Sequence, residues 1–120
     1  MKTVLIVDDL ESVRFYHQIL LNQAGYQTMT ASDGLEALAL LERSPVDLVM
    51  LDLMMPRMSG TEFLARARSL HRYDGLPVLI ITSESNKGAA LVAGASGPCE
   101  ILQKPILPAV LPAALHRLLG

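Results

Sequence analysis

Cysteine is almost absent: Cys99 is the single one in 120 residues, so no disulfide can form within the chain, and a reducing compartment suits it. Positive charge is not in excess either. Ten Lys and Arg stand against twelve Asp and Glu, a formal net charge of -2, which argues against direct nucleic-acid binding through a basic face. No apolar run approaches the ~20 residues of a membrane span. The opening "MKTVLIVDDLE" turns acidic too soon for a signal peptide's apolar region. Internal repeats, low-complexity tracts and linkers are missing as well. One domain over residues 1–120 is therefore expected, in the cytoplasm and without membrane contact.

What is present is apolar matter in short, regularly spaced blocks. Hydrophobic residues make up 51% and charged residues 18%, enough for a packed core. "TVLIVD" (Thr3–Asp8) is apolar until its end, as in a strand covered on both faces. "LESVRFYHQILLNQAG" has helical spacing, with Val13, Tyr16, Leu20 and Ala24 on one face and Gly25 at the expected C-terminal cap. "YQTMTA" reads as a weaker strand. "SDGLEALALLERS" offers Ser32 or Asp33 as N-cap, Glu36 after it, and Leu35, Leu38 and Leu41 as the inward stripe.

A third strand runs from about Val46 to Asp52. "TEFLARARSLHR" then reads as a helix with Phe63, Leu64, Ala67 and Leu70 inward. "LPVLIIT" (Leu76–Thr82) and "CEILQK" read as strands, separated by a glycine-broken segment that predicts only a short or frayed helix. "ILPAVLPAALHRLLG" closes the chain as a helix. Five strands alternating with five helices predict an α/β fold with a doubly wound parallel sheet.

In such sheets ligands bind beyond the carboxyl ends of the strands. Those ends carry Asp8 and Asp9, then Asp52, Thr82 and Lys104. An unpartnered buried carboxylate costs several kcal/mol (on the order of 5), so "VDLVMLDLMMP" must deliver Asp52 to partners, with Pro56 turning the chain away and leaving the carboxylate open. Three neighbouring acids repel one another unless a cation intervenes. Mg²⁺ prefers such oxygen ligands, and Lys104 adds positive charge. A phosphoryl group fits this set, its oxygens meeting metal, Lys104 and Thr82 while an Asp52 oxygen attacks in line.

At these residues the chain resembles the receiver (response-regulator) domains of two-component signalling. The pieces that carry the likeness are "VLIVDD", "SDGLEAL", "VDLVMLDLMMPRMSG", "PVLIITSES" and "QKP", in order and over nearly the whole chain. The resemblance implies a flavodoxin-like fold of strand order 2-1-3-4-5, with Asp52 as phosphoacceptor. It implies Mg²⁺ on Asp9 and Asp52, with Asp8 helping through water and Met54 through its backbone carbonyl. Thr82 would hold a phosphoryl oxygen and Lys104 would pair with the phosphate, before a Lys104–Pro105 bond that is cis in many relatives. Met54 and Glu84 would tune dephosphorylation. The implied partners are a histidine kinase or histidine phosphotransferase and an output protein of unknown identity. Phe15 and Ile19, off the main stripe of the first helix, mark a candidate docking surface for the kinase.

Two departures from the family pattern stand out. Ile101 occupies the place of a Tyr or Phe that turns inward when the threonine engages phosphate. The fourth helix, with Gly88, Gly94 and Gly97 and then Pro98, is expected to be about one turn short and mobile. In the last helix, Pro112 predicts a kink or a late start after Pro108.

Other readings compete. A pseudo-receiver would act as a constitutive interaction module without phosphotransfer. A haloacid-dehalogenase-like phosphohydrolase needs a second Asp where Met54 stands, and a flavin site is disfavoured by the acids of "VDDLES". Asp8 and Asp9 could simply cap the first helix, which leaves Asp52 and Lys104 unexplained. His17, His71 and His116 lack metal-ligand spacing and are expected at the surface or half-buried. Cys99 is expected to be a small buried residue, the methionines core filler, and Gly60 and Pro56 turn formers.

Overall fold

The computed structural model describes residues 1–53, 55, 58–83 and 97–119. The elements are β1 (Thr3–Val7), α1 (Glu11–Gln23), β2 (Gln27–Ala31), α2 (Gly34–Arg43), β3 (Leu48–Asp52), α3 (Gly60–Arg68), β4 (Val78–Thr82), β5 (Cys99–Gln103) and α4 (Leu111–Leu119). All strand pairs are parallel, in the order β2-β1-β3-β4-β5. The expected sheet and its strand order are therefore found. The expected fourth of five helices falls on residues 84–96, outside the described residues, as do Met54, Pro56, Glu84 and the side chain of His71.

Alternation along each strand divides the core in two. Leu5, Val7, Val49, Leu51, Val78 and Ile80 pack against α2 and α3. Val4, Ile6, Leu48, Met50, Leu79 and Ile81 pack against α1 and α4. This double burial is why β1, β3 and β4 read as unbroken apolar runs. Carried one step on, the alternation assigns Asp8, Asp52 and Lys104 to the α1/α4 side and Thr82 to the α2/α3 side.

Several helix faces differ from expectation. On α1 the buried residues are His17, Leu20 and Leu21, while Tyr16 and Ala24 are exposed. The sheet-facing row is therefore i, i+3, i+4 from position 17, and His17, at 3% exposure, is a core residue rather than a surface one. His116 is exposed as expected. On α2 the inward residues are Ala37 and Leu41 with Leu38 partly buried, and Leu35 faces solvent. Leu70 lies beyond the end of α3 and is exposed. Cys99 is half-buried against the α2/α3 core, and burial pushes its thiol pKa up while the Arg68 charge opposes the shift.

The helix ends follow the sequence. Asp33 caps α2 by accepting from the Glu36 N–H, and Glu36 reaches back to the Ser32 N–H at 2.9 Å. Gly25, just past α1, has φ +94°, a conformation that side chains with a Cβ resist. Helix α4 starts late, at Leu111, so Pro112 falls in the first turn, where its missing N–H deprives the helix of nothing.

At the opposite rim, Arg68 donates to the carbonyls of Tyr73 (2.7 Å), Asp74 (3.3 Å) and Pro98 (3.0 Å), tying the end of α3 to the starts of β4 and β5.

Gly60 opens α3 beneath a Ser59–Glu62 capping box, and its N–H donates to the Leu53 carbonyl at 3.0 Å. A Cβ there would strike the Asp52 carbonyl oxygen and sit 2.7 Å from the Leu53 Cα. Its role is close backbone approach at the end of β3 rather than turn formation. Gly60→Ala is expected to destabilise the protein by roughly 1–3 kcal/mol through this backbone collision, read from urea unfolding.

Burial lowers the pKa of His17; the Asp8 charge opposes the shift and the Lys104 charge adds to it. The unfolded chain then takes up a proton that the folded chain refuses. Stability is unaffected by His17 above its unfolded pKa near 6.5 and falls as pH drops below it. His17→Leu should flatten the loss of stability between about pH 6.5 and 5, by less than the ~1.4 kcal/mol per pH unit of one proton. Unfolding midpoints measured across that range test the sign.

Candidate functional site

Asp8 follows β1 directly and is held through its main chain on both sides. Its N–H donates to the Ala31 carbonyl at the end of β2 (3.1 Å), and its carbonyl accepts from Arg14 Nη1 (2.7 Å). Its Oδ1 accepts the Leu10 N–H at 3.0 Å, which leaves Oδ2 facing Lys104. Helix α1 begins at Glu11 behind Leu10 as N-cap, with no side-chain cap, so helix capping does not account for the two aspartates. Asp9 is exposed.

Asp52 is the last residue of β3, next to β1 in the sheet. It is only 5% exposed, so the carboxylate is far less open than expected. Oxygen atoms of Asp8, Asp9 and Asp52 all lie within 4.8 Å of one another. Lys104 Nζ stands 3.1 Å from Asp8 Oδ2 and 3.5 Å from Asp52 Oδ1. One ammonium thus bridges two nearly buried carboxylates from different strands. Buried charges demand such pairing.

Thr82 ends β4 and is buried. Its carbonyl accepts the Lys104 N–H at 2.9 Å, and the Lys104–Pro105 bond is cis. The five residues read from the strand ends are therefore brought to one rim. Met54 and Glu84 lie outside the described residues. Ile101 sits in β5 opposite Ile80, partly buried against the α2/α3 core.

Arg14 and Tyr16 support this rim but were not read as doing so. The Arg14 guanidinium holds the Asp8 carbonyl, and the Tyr16 hydroxyl donates to the Ile106 carbonyl at 2.9 Å. A cation six residues after Asp8 was the available signal for the first. The second spans ninety positions and left none.

Formally, three carboxylates and one ammonium give these four groups a net charge of -2. Hard oxygen donors with that excess fit a small divalent cation. With Lys104 and Thr82 beside them, they fit an anionic group bridging metal and ammonium. Among the described residues, no helix is long and apolar enough to cross a membrane.

Comparison with known proteins agrees with this geometry. The family described as "Response regulator receiver domain" matches residues 4–116. The Vibrio cholerae chemotaxis protein CheY-3 is 34% identical over 116 residues, covering 96% of this chain and 89% of that protein. The solved structure of V. cholerae CheY4 superposes with a TM-score of 0.90 at 37% identity, covering 99% of each chain. Thermotoga maritima TrrA, solved in complex with Mg²⁺–BeF, gives a TM-score of 0.87 at 31% identity, covering 99% of this chain and 100% of that one. Other curated relatives are longer: the chain spans 15% of a sensor kinase/phosphatase and about half of several regulatory proteins. An acid cluster bridged by a lysine, at the carboxyl rim of a 2-1-3-4-5 sheet, meets that match, and the chain belongs to the response regulator receiver domains, the phosphorelay signalling modules of two-component systems.

Proposed function

We propose that residues 1–120 form one receiver domain in which Asp52 accepts a phosphoryl group in a Mg²⁺-dependent reaction. The observation that carries this reading is the Lys104 ammonium lying between the Asp8 and Asp52 carboxylates, with Asp9 in the same cluster. Asp9 and Asp52 would hold Mg²⁺ directly, Asp8 through water and Met54 through its carbonyl. When bound, the metal neutralises charge on the phosphoryl oxygens.

The chain's own residues supply the rest. An Asp52 oxygen forms the new bond to phosphorus as the donor's bond to phosphorus breaks, giving an acyl phosphate. Lys104 then exchanges part of its contact with Asp52 for a phosphoryl oxygen, and the Thr82 hydroxyl donates to another. Positioning and charge neutralisation account for most of such a barrier.

The donor is a histidine kinase or histidine phosphotransferase in the cytoplasm. It docks on α1, where Phe15 and Ile19 are exposed, Phe15 by 63%. Output proceeds through protein contacts rather than nucleic acid or membrane. A constitutive interaction module is the second reading. It draws support from Ile101, which has neither a ring to swing nor a hydroxyl to present.

Incubation with a small phosphodonor and Mg²⁺, followed by intact-mass measurement, tests the first reading. A phosphoryl adduct is expected in the wild type, absent in Asp52→Asn and absent after chelation of the metal. Lys104→Ala should slow its formation by at least about tenfold, the equivalent of about 1.4 kcal/mol of barrier. No adduct in the wild type, where a control receiver is modified, would leave the interaction module standing.

A further inference from the structure

Lys104 is flexible by nature, with four rotatable bonds in its stem, yet it must place one ammonium between two carboxylates. On one side its backbone is fixed by the N–H bond to the Thr82 carbonyl. Pro105 follows and has no N–H to donate. The next fixed point is Ile106. Its side chain is buried in the α1/α4 core, and its carbonyl accepts the Tyr16 hydroxyl at 2.9 Å.

This stretch is not packed on every side. A cavity of about 310 Å³ lies against it, lined by Val13, Tyr16, His17, Lys104, Pro105 and Ile106. Tyr16 is itself exposed at 40%, and its hydroxyl reaches the loop. Among the described residues, this side-chain bond joins α1 to the main chain just after Lys104.

We propose that Tyr16 is a positioning residue for Lys104: by holding the Ile106 carbonyl to α1, it keeps the ammonium between Asp8 and Asp52. The effect on Lys104 stands on geometry; its consequence for phosphoryl transfer rests on the function proposed above. Tyr16→Phe removes the hydroxyl and keeps the ring, so the fold should survive.

Two measurements on the full chain test this. The first is the acetylation rate of Lys104 with an amine-reactive acetyl ester, read by peptide mass with Lys2 as internal reference. Tyr16→Phe should raise Lys104 labelling about three- to tenfold, the population shift expected from one lost hydrogen bond, and leave Lys2 unchanged. The second is adduct formation with a small phosphodonor and Mg²⁺. Tyr16→Phe should slow it by a similar factor, and should add nothing in a Lys104→Ala background, because both changes act on the same group.

Unchanged Lys104 labelling overturns the proposal. So does a Tyr16→Phe effect of equal size with and without Lys104. Faster amide exchange throughout α1 in the variant would mean general loosening, and also overturns it. Raised Lys104 labelling in a protein that takes up no phosphoryl group supports the positioning role and refutes the proposed function instead.

Discussion

The contact between Lys104 and the two carboxylates of Asp8 and Asp52 is the constraint around which the molecule is arranged. Both acids are nearly buried, and a buried carboxylate without a counter-charge would ionise only at a cost of several kcal/mol (on the order of 5). The three groups come from β1, β3 and β5, and only a parallel sheet brings the carboxyl ends of all three to the same edge. Strand β5 is three places from β1 in the sheet, about 14 Å at roughly 4.8 Å per strand, so the long lysine stem and the Asp8 side chain must reach toward each other to make their 3.1 Å contact.

Negative charge is concentrated at the rim. Lys104 offsets one charge of three, and the Leu10 N–H and the Arg14 guanidinium steady Asp8 without neutralising it fully. The starts of α2 and α3, by contrast, are capped by paired bonds at Asp33–Glu36 and Ser59–Glu62. The acidic rim is therefore the place where negative charge gathers beside one lysine, and the proposed Mg²⁺ and phosphoryl group would meet it there. Gly60 belongs to the same arrangement. With no Cβ, it lets α3 close onto the Asp52 carbonyl, and this fixes the backbone that carries the acid.

Much of this was legible in the sequence because it depends on local rules. Apolar runs ending in Asp8, Asp52 and Thr82 specify buried strands that deliver polar groups at one rim, and Asp33 with Glu36 specifies a helix start. Even the sharing of a face was readable: alternation from Leu48 and Met50 leads to Asp52, and from Leu102 to Lys104. Helix faces were harder. His17 and Leu35 were misplaced because a period near 3.6 fixes which residues share a stripe, but tertiary packing decides which stripe turns inward. The Tyr16–Ile106 bond was out of reach altogether, since no sequence rule links a hydroxyl to a carbonyl ninety positions away.

The same alternation divides what a phosphoryl group on Asp52 would touch. Thr82 belongs to the α2/α3 side, where Ile101 packs two residues before the end of β5. Lys104 belongs to the α1/α4 side, where Tyr16 holds the segment that follows it. A change at the rim therefore has two mechanical exits, one on each face of the sheet. On the first, an aliphatic side chain stands where the family uses an aromatic, and an isoleucine already packed on the core has little to gain by moving. On the second, a polar contact crosses directly from the lysine's loop to the helix proposed to meet the phosphodonor. On the proposed function, a shift of Lys104 toward phosphate would be passed to α1 through the Tyr16–Ile106 bond. The α1/α4 face then has a polar link to the rim, whereas the α2/α3 face offers Ile101 packed on the core.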